Sequence, residues 1–108
     1  MNHQHKELAS GRWKELTLAE QMANIGSEVS RALKWREKGN SEYSLRAAAR
    51  ALELLDLSLD NEKSFPRLRE LARLREAIVD FFYGTNQFSS SPGLWRRYFD
   101  HFNLVARR

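Results

Sequence analysis

Apolar residues recur every three or four positions along four stretches of the chain, which is the spacing of amphipathic helices. This pattern predicts helices over residues 18–38, 42–59, 66–83 and from 92 to near the end of the sequence. No stretch keeps the strict alternation that is typical of a half-buried strand. Most connections are short, so the predicted fold is all-α, a four-helix up-and-down bundle.

Residues typical of helix ends support these boundaries. Thr17 and Glu20 match a T-x-x-E capping box, and Gly39 stands where a left-handed turn would end the first predicted helix. Polar residues that can cap the other three helices precede each of them: Asn40 or Ser41, Ser64, and Ser91. The longest connection, residues 84–91, is polar except for Phe88, which we expect to pin it to the core.

The capping box also divides the chain. Residues 1–16 precede it and are predicted to form a partly ordered N-terminal tail, with Trp13 and Leu16 packed on the helices. Residues 17–108 are predicted to form a single four-helix domain, and a chain of 108 residues can bury one hydrophobic core. In the last helix the expected inward face comprises Leu94, Trp95, Tyr98, Phe99, Phe102 and Val105.

The first predicted helix carries a stripe of small side chains beside its apolar stripe. The apolar stripe consists of Leu18, Met22, Ile25, Val29 and Leu33, and the small one of Ala19, Ala23, Gly26 and Ser30. Small side chains let another backbone approach closely, which would offset the cost of about 1 kcal/mol that a glycine imposes inside a helix. We therefore predict a tight helix–helix contact at Gly26 and a central position for this helix.

A third stripe of the same helix mixes polar groups with an aromatic ring, in Asn24, Glu28, Arg31 and Trp35. Arg75 lies within the apolar arc of the third predicted helix, where an unpaired buried charge would be costly. We expect Glu28 to pair with Arg75, with Glu53 or Asp56 as alternatives. The predicted result is a buried polar network of Asn24, Glu28, Arg31 and Arg75. A small-ligand site near Glu28 and Arg75 is a further hypothesis.

Composition narrows the chemistry. The chain has no cysteine, which excludes disulfides and thiolate metal sites, and it lacks the Glu-x-x-His motif of di-metal helical bundles. We predict no metal site and no cofactor, and we do not expect a dedicated site at the H-x-H pair of His3 and His5. The absence of a long apolar run and of a signal-peptide pattern favours a cytoplasmic protein without membrane contact. The net charge of +4 permits contact with RNA but argues for it only weakly.

The stretch RRYFDH contains Arg96, four intervening residues and then His101. This spacing resembles the R-x(4–6)-H motif of HEPN domains, which are small all-helical proteins. The resemblance implies metal-independent RNA cleavage at a dimer interface, with Arg96 and His101 as the candidate catalytic pair. On a regular helix these residues lie about 140° apart, so they converge only if the helix bends or a second subunit contributes.

Three longer stretches, EQMANIGSEVSRALKWREKGN, RLREAIVDFFYGTN and LWRRYFDHF, resemble a group of small prokaryotic helical proteins without an assigned function. The resemblance would extend over residues 17–107. It implies an all-helical fold in a microbial cytoplasm and adds no chemistry to individual residues.

Aromatic residues are dense in the last third of the chain: Phe81, Phe82, Tyr83, Phe88, Trp95, Tyr98, Phe99 and Phe102. One small core does not need so many, so some are expected to line an interface or a pocket. We interpret the protein as a non-catalytic protein–protein interaction or scaffold module that forms a homodimer, with a separate protein partner as another option. The alternative is a HEPN-like protein that binds or cleaves RNA. Whether the protein is an enzyme stays open, and the balance favours one that is not.

Overall fold

The computed structural model describes residues 11–107. Within this range the chain forms five helices: α1 over residues 11–15, α2 (Leu18–Glu37), α3 (Ser41–Asn61), α4 (Phe65–Tyr83) and α5 (Pro92–Ala106). The all-α prediction is confirmed, and the observed bounds of the four long helices agree with the predicted ones to within two residues. Part of the predicted tail is helical, as α1, while His3 and His5 lie outside the described residues.

α2 lies at the centre of the molecule, because it packs against α3 on one side and against α5 on the other, while α4 packs on α3. Four members of the predicted apolar stripe, Met22, Ile25, Val29 and Leu33, are at most 2% exposed. Burying side chains of this size stabilises the fold by about 2 kcal/mol each. The predicted central position of this helix is confirmed.

Small side chains bring α2 and α3 together. Ala47 and Ala48 of α3 are at most 4% exposed and form a buried cluster with Ala32 of α2. The Ser44 hydroxyl donates a hydrogen bond of 2.8 Å to the Ala32 carbonyl oxygen. The two helices therefore meet through side chains that lose almost no rotamer entropy on burial.

Gly26 allows a close contact between α2 and α5. A Cβ atom at this position would lie 2.7 Å from Cγ of Phe99, closer than real Cβ contacts come. The neighbour is thus an aromatic ring, whereas the sequence suggested a second backbone. Ala19, Ala23 and Ser30 are only partly buried. Of the predicted stripe of small residues, therefore, Gly26 is the member that makes a tight interhelical contact.

The helix ends follow the sequence closely. Thr17 and Glu20 form both hydrogen bonds of the capping box, and the Thr17 backbone N–H lowers the pKa of the Glu20 carboxyl group. Gly39 has a φ of 79°, the left-handed conformation that glycine adopts without strain. The side chains of Asn40 and Ser91 cap α3 and α5, whereas Ser64 precedes α4 without a side-chain capping bond.

Arg36 ties the end of α2 to the end of α4. Its Nη1 donates a 3.1 Å hydrogen bond to the carbonyl oxygen of Phe81, and its Cζ lies 4.5 Å from the centroid of the Phe81 ring. That carbonyl belongs to the last turn of α4, where carbonyl groups have no partner within the helix. Arg36 therefore supplies both a cap and a cation–π contact.

The loop between α4 and α5 is held by polar groups. The Asp80 carboxylate accepts hydrogen bonds from the backbone N–H groups of Gln87 and Phe88, at 2.7 and 3.0 Å. The Asn86 side chain bonds both backbone polar groups of Ser90. Phe88 itself is 60% exposed, so the expectation that it pins the loop is wrong. An acceptor at the end of α4 fixes the loop instead.

Candidate interaction surface

Arg75 does not pair with Glu28, which was its first expected partner. Its Nε donates a 2.8 Å hydrogen bond to Oδ1 of Asp56, one of the two alternatives, and this bond raises the pKa of Arg75. The reason is the order of the helices, since α4 packs on α3 and Arg75 therefore faces an acid of α3. Both side chains are more than 40% exposed, so the pair stabilises the fold only slightly.

Glu28 sits instead between α2 and α3. Its Oε1 lies 3.7 Å from Nη1 of Arg31 and 3.8 Å from Nε of Arg50. Its Oε2 is buried and has no hydrogen-bond partner among residues 11–107. Glu28 and Arg75 thus have different partners, and no ion pair joins them within residues 11–107.

The predicted buried network of Asn24, Glu28, Arg31 and Arg75 is wrong as a unit. Asn24 is exposed and donates to the carbonyl oxygen of Glu20 within its own helix. Arg31 is exposed, and its Nη1 lies 3.7 Å from Oε1 of Glu28, which is longer than a hydrogen bond. Arg75 belongs to another helix pair. Helical periodicity places Asn24, Glu28 and Arg31 on one stripe of α2. However, α3 covers only Glu28 and leaves Asn24 and Arg31 exposed.

The buried polar network of this protein lies elsewhere, at the junction of α1, α2 and α3. The Trp13 indole N–H donates to Oγ of Ser58 at 2.8 Å, and the Ser58 hydroxyl donates to Oε1 of Gln21 at 2.8 Å. Nε2 of Gln21 then donates to the carbonyl oxygens of Trp13 and Leu16. The sequence indicates this network only through two polar residues, Ser58 and Gln21, each of which lies among apolar positions of its helix.

A cleft of about 550 Å³ opens beside this network. The residues that line it include three cations, Lys14, Lys63 and Arg67, and two acids, Asp60 and Glu62. The Glu62 carboxylate also accepts from the backbone N–H groups of Lys63 and Ser64. The mixed charges select no single class of ligand, and the polar groups at the floor are already satisfied.

Arg96 and His101, the candidate catalytic pair, contact different neighbours. Nη2 of Arg96 lies 2.7 Å from Oε1 of Glu37 at the end of α2. His101 is exposed, and its ring centroid lies 5.2 Å from that of Phe102. Within one chain, therefore, the arginine is neutralised by a carboxylate and the histidine faces solvent on another side of α5.

α4 and α5 enclose an apolar groove of about 370 Å³. Its lining is formed by Leu74 and Ala77 of α4 and by Leu94, Trp95 and Tyr98 of α5, with polar groups at the edge from Glu70, Arg73 and Ser90. The groove exists because α5 packs mainly on α2, so α4 and α5 touch through a few side chains.

Tyr98 makes the polar contact that bridges this groove. Its hydroxyl group donates to Oε1 of Glu70 at 3.1 Å. Burial is the largest cause that raises the pKa of Tyr98 far above the ordinary tyrosine value, and the neighbouring Glu70 carboxylate raises it further. The phenol therefore stays neutral at any physiological pH and acts as a donor.

A stripe of apolar and aromatic side chains, interrupted by the exposed His101, continues from the groove along the outer face of α5. We name Leu94, Tyr98, His101 and Val105 the α5 stripe, since these positions fall within an arc of about 60° on a regular helix. Leu94 is 50% exposed and Val105 is 42% exposed. Both were predicted to face inward, and that prediction is wrong because α2 receives the neighbouring face of α5, with Trp95 and Phe99, which lies about 100° around the helix from the stripe.

Three of the clustered aromatic residues, Phe81, Trp95 and Phe99, are buried beneath this surface. Trp95 stacks on Phe99, with ring centroids 6.2 Å apart, and meets Phe81 edge to face at 6.0 Å. The indole N–H of Trp95 is buried and finds no hydrogen-bond partner in the described part of the chain. The clustered aromatic residues therefore contribute to the hydrophobic core as well as to the surface.

Residues 11–107 contain no group of three or more side chains that could hold a metal ion. No helix of this range is both long enough and apolar enough to cross a membrane. Comparisons with protein-family models, with curated proteins and with solved structures found no match for the chain. The class of protein is therefore defined by its helices alone, as a small all-helical protein.

Proposed function

We propose that the protein is a non-catalytic interaction module that associates with a second copy of itself through the α5 stripe and the adjoining α4–α5 groove. The observation that carries the proposal is the position of Leu94. This residue lines the apolar groove and belongs to the α5 stripe, and half of it is open to water. Contiguous apolar surface of this kind is typical of binding sites.

Phe65, the most exposed of the large apolar side chains among residues 11–107, lies apart from this surface. Phe65 is 70% exposed at the first position of α4 and lines no described cavity. Single exposed apolar residues are common on soluble proteins and need no partner. On α5, by contrast, Leu104 is 64% exposed beside Val105 and extends the same face.

The proposal includes the arrangement of the four long helices as an up-and-down bundle. The short connections between α2, α3 and α4 support it. Contacts of Tyr98 with Glu70 and of Trp95 with Phe81 also support an antiparallel course of α4 and α5. In such a bundle α5 has one face on α2 and one face free, which is the face that we assign to binding.

Light scattering coupled to size-exclusion chromatography tests this function. We expect twice the mass of one chain for the wild-type protein, and the mass of one chain for Leu94→Glu, because a charge would be buried in the contact. Phe65→Glu is the matched control and should keep the wild-type mass. Far-UV circular dichroism confirms that each variant folds. A wild-type protein that is monomeric across the micromolar range, or a dimeric Leu94→Glu, would contradict the proposal.

A further inference from the structure

The two helices joined by the turn at Gly39 present a face that combines cations with aromatic rings. We name it the α2–α3 face, and its side chains are Arg31, Trp35 and Lys38 of α2 together with Tyr43, Arg46 and Arg50 of α3. On each helix these positions are three or four residues apart, so they form one row per helix. We infer that this face binds single-stranded nucleic acid, a function that does not rest on the proposed dimer.

Two aromatic rings of this face bridge the helices. The rings of Trp35 and Tyr43 meet edge to face with centroids 4.9 Å apart, and Tyr43 is 44% exposed while Trp35 is partly exposed. Nζ of Lys38 lies 5.2 Å from the Trp35 centroid, and Cζ of Arg46 lies 5.6 Å from the Tyr43 centroid. A base can therefore stack on an exposed ring while the adjacent cation reaches a phosphate, as in other single-strand binding sites.

The carboxylate of Glu28 leaves positive charge on this face. Its Oε1 is shared between Arg31 and Arg50, at 3.7 and 3.8 Å, so one carboxylate serves two guanidinium groups. The side chains of Arg31 and Arg50 are 61% and 70% exposed, whereas the Glu28 side chain is only 14% exposed. A phosphate that approaches from solvent therefore meets the cations before it meets the acid.

Arg46 and Lys38 supply the other two cations. Arg46 pairs with Glu42 at 2.7 Å, but both side chains are 69% exposed, and a phosphate can replace so exposed a partner at little cost. Lys38 takes part in no ion pair within residues 11–107. On the flanks of the face, Lys34 and Glu53 offset each other. Four cations against two carboxylates make the face complementary to a chain of phosphates.

The rings distinguish a single strand from other anionic partners. A membrane surface requires a continuous apolar face on a helix, whereas the exposed apolar groups of the α2–α3 face are two aromatic rings. A double helix keeps its bases stacked inside, while a single strand can splay them onto aromatic side chains. Positions 31 to 38 extend over about 10 Å of α2, which is room for a few nucleotides.

Tryptophan fluorescence tests this inference, because the chain has three tryptophans and two of them, Trp13 and Trp95, are at most 6% exposed. A single-stranded oligouridylate is titrated into the protein at low ionic strength. We expect saturable quenching of the emission by a base stacked on Trp35, and no quenching in Trp35→Phe. The anisotropy of a fluorescein-labelled oligouridylate then gives the affinity of each variant.

Two matched double variants locate the site. Lys38→Gln with Arg46→Gln removes two cations from the α2–α3 face, whereas Arg67→Gln with Arg69→Gln removes two exposed cations from α4. We expect the first pair to weaken binding at least tenfold. It should also lower the slope of log affinity against log salt by about 1.4, since each phosphate contact of a single strand contributes about 0.7. The second pair should keep the wild-type slope, and far-UV circular dichroism confirms that both variants fold.

Three outcomes overturn the inference. The first is the absence of saturable binding at low ionic strength. The second is an equal loss of affinity in both double variants, which means that the oligonucleotide responds to net charge and not to this face. The third is binding of polyaspartate as tight as that of oligouridylate, with no quenching of Trp35, which means that the face takes acidic polypeptides by charge alone. The mass of Leu94→Glu in light scattering bears only on the proposed dimer, so the two proposals fail separately.

Discussion

The two buried tryptophans of this protein are almost equally exposed, but they differ in the hydrogen bonding of the indole N–H group. Trp13 is 6% exposed and Trp95 is 5% exposed. The Trp13 indole donates a 2.8 Å hydrogen bond to Ser58, whereas the Trp95 indole N–H has no acceptor among the described residues. Trp13 is therefore held by a directional hydrogen bond, and Trp95 by contacts with other rings.

The two tryptophans therefore constrain their surroundings differently. Hydrogen bonds fix the relative positions of α1, α2 and α3, because Ser58 and Gln21 lose their partners if any of these helices shifts. Ring contacts tolerate small shifts, since stacking and edge-to-face geometries have broad minima. The ring contacts around Trp95, beneath the proposed interaction surface, can thus adjust more readily than the hydrogen bonds around Trp13.

The largest effect is expected from Ser58→Ala. This change leaves the Trp13 N–H and the Gln21 oxygen without partners, and each stranded buried group costs about 1–3 kcal/mol. We expect the free energy of unfolding, measured by urea denaturation, to fall by about 3 kcal/mol. Ser27→Ala on the exposed face of α2 is the control and should change stability by less than about 0.5 kcal/mol. A loss below about 1 kcal/mol for Ser58→Ala would show that the network is not needed.

A second effect is expected from replacing each tryptophan by phenylalanine. Both changes remove a similar volume from the core, but Trp13→Phe also breaks a hydrogen bond, while Trp95→Phe removes an N–H that has no partner within residues 11–107. Trp13→Phe should therefore destabilise the protein by about 1–2 kcal/mol more than Trp95→Phe does. If chemical denaturation shows the same loss in the free energy of unfolding for both variants, the hydrogen bond of Trp13 does not distinguish it from Trp95.

The smallest effect concerns Tyr98, beside Trp95. Because its pKa is raised in the folded state, stability from the neutral phenol is complete below the ordinary tyrosine pKa of about 10 and is lost as the pH rises above it. Relative to Tyr98→Phe, the wild-type protein should lose about 0.8 kcal/mol between neutral pH and about pH 10.5. Urea denaturation at both pH values measures this, with Tyr43→Phe as the control. If the difference in unfolding free energy between the wild-type protein and Tyr98→Phe is the same at both pH values, the Tyr98 hydroxyl group is solvated in the folded protein.

Much of the fold could be predicted from the sequence, because its causes are local. The capping box at Thr17 and the left-handed Gly39 depend on residues a few positions away, as does the apolar stripe of α2. The central place of α2 followed from its apolar stripe and from the small Gly26 beside it. Each of these features needs only helical geometry and the chemistry of neighbouring residues.

The errors arose where a contact depends on which helices are neighbours. Periodicity shows that Arg75 is on a certain face of α4 but not which acid lies opposite, and the answer was Asp56 of α3. Trp13 and Ser58 are 45 residues apart in sequence, so no local pattern could pair them. Leu94 belonged to an apolar arc wider than α2 can cover, and only the packing shows which edge stays open.

The contact between Gly26 and Phe99 has a consequence for biosynthesis. The ribosome releases α2 and then α3, whose alanines cover one side of α2 in the folded protein. The Gly26 side has to wait for Phe99, near the end of the sequence. We expect nascent chains stalled before α5 to display this side of α2 to chaperones, and full-length chains to hide it.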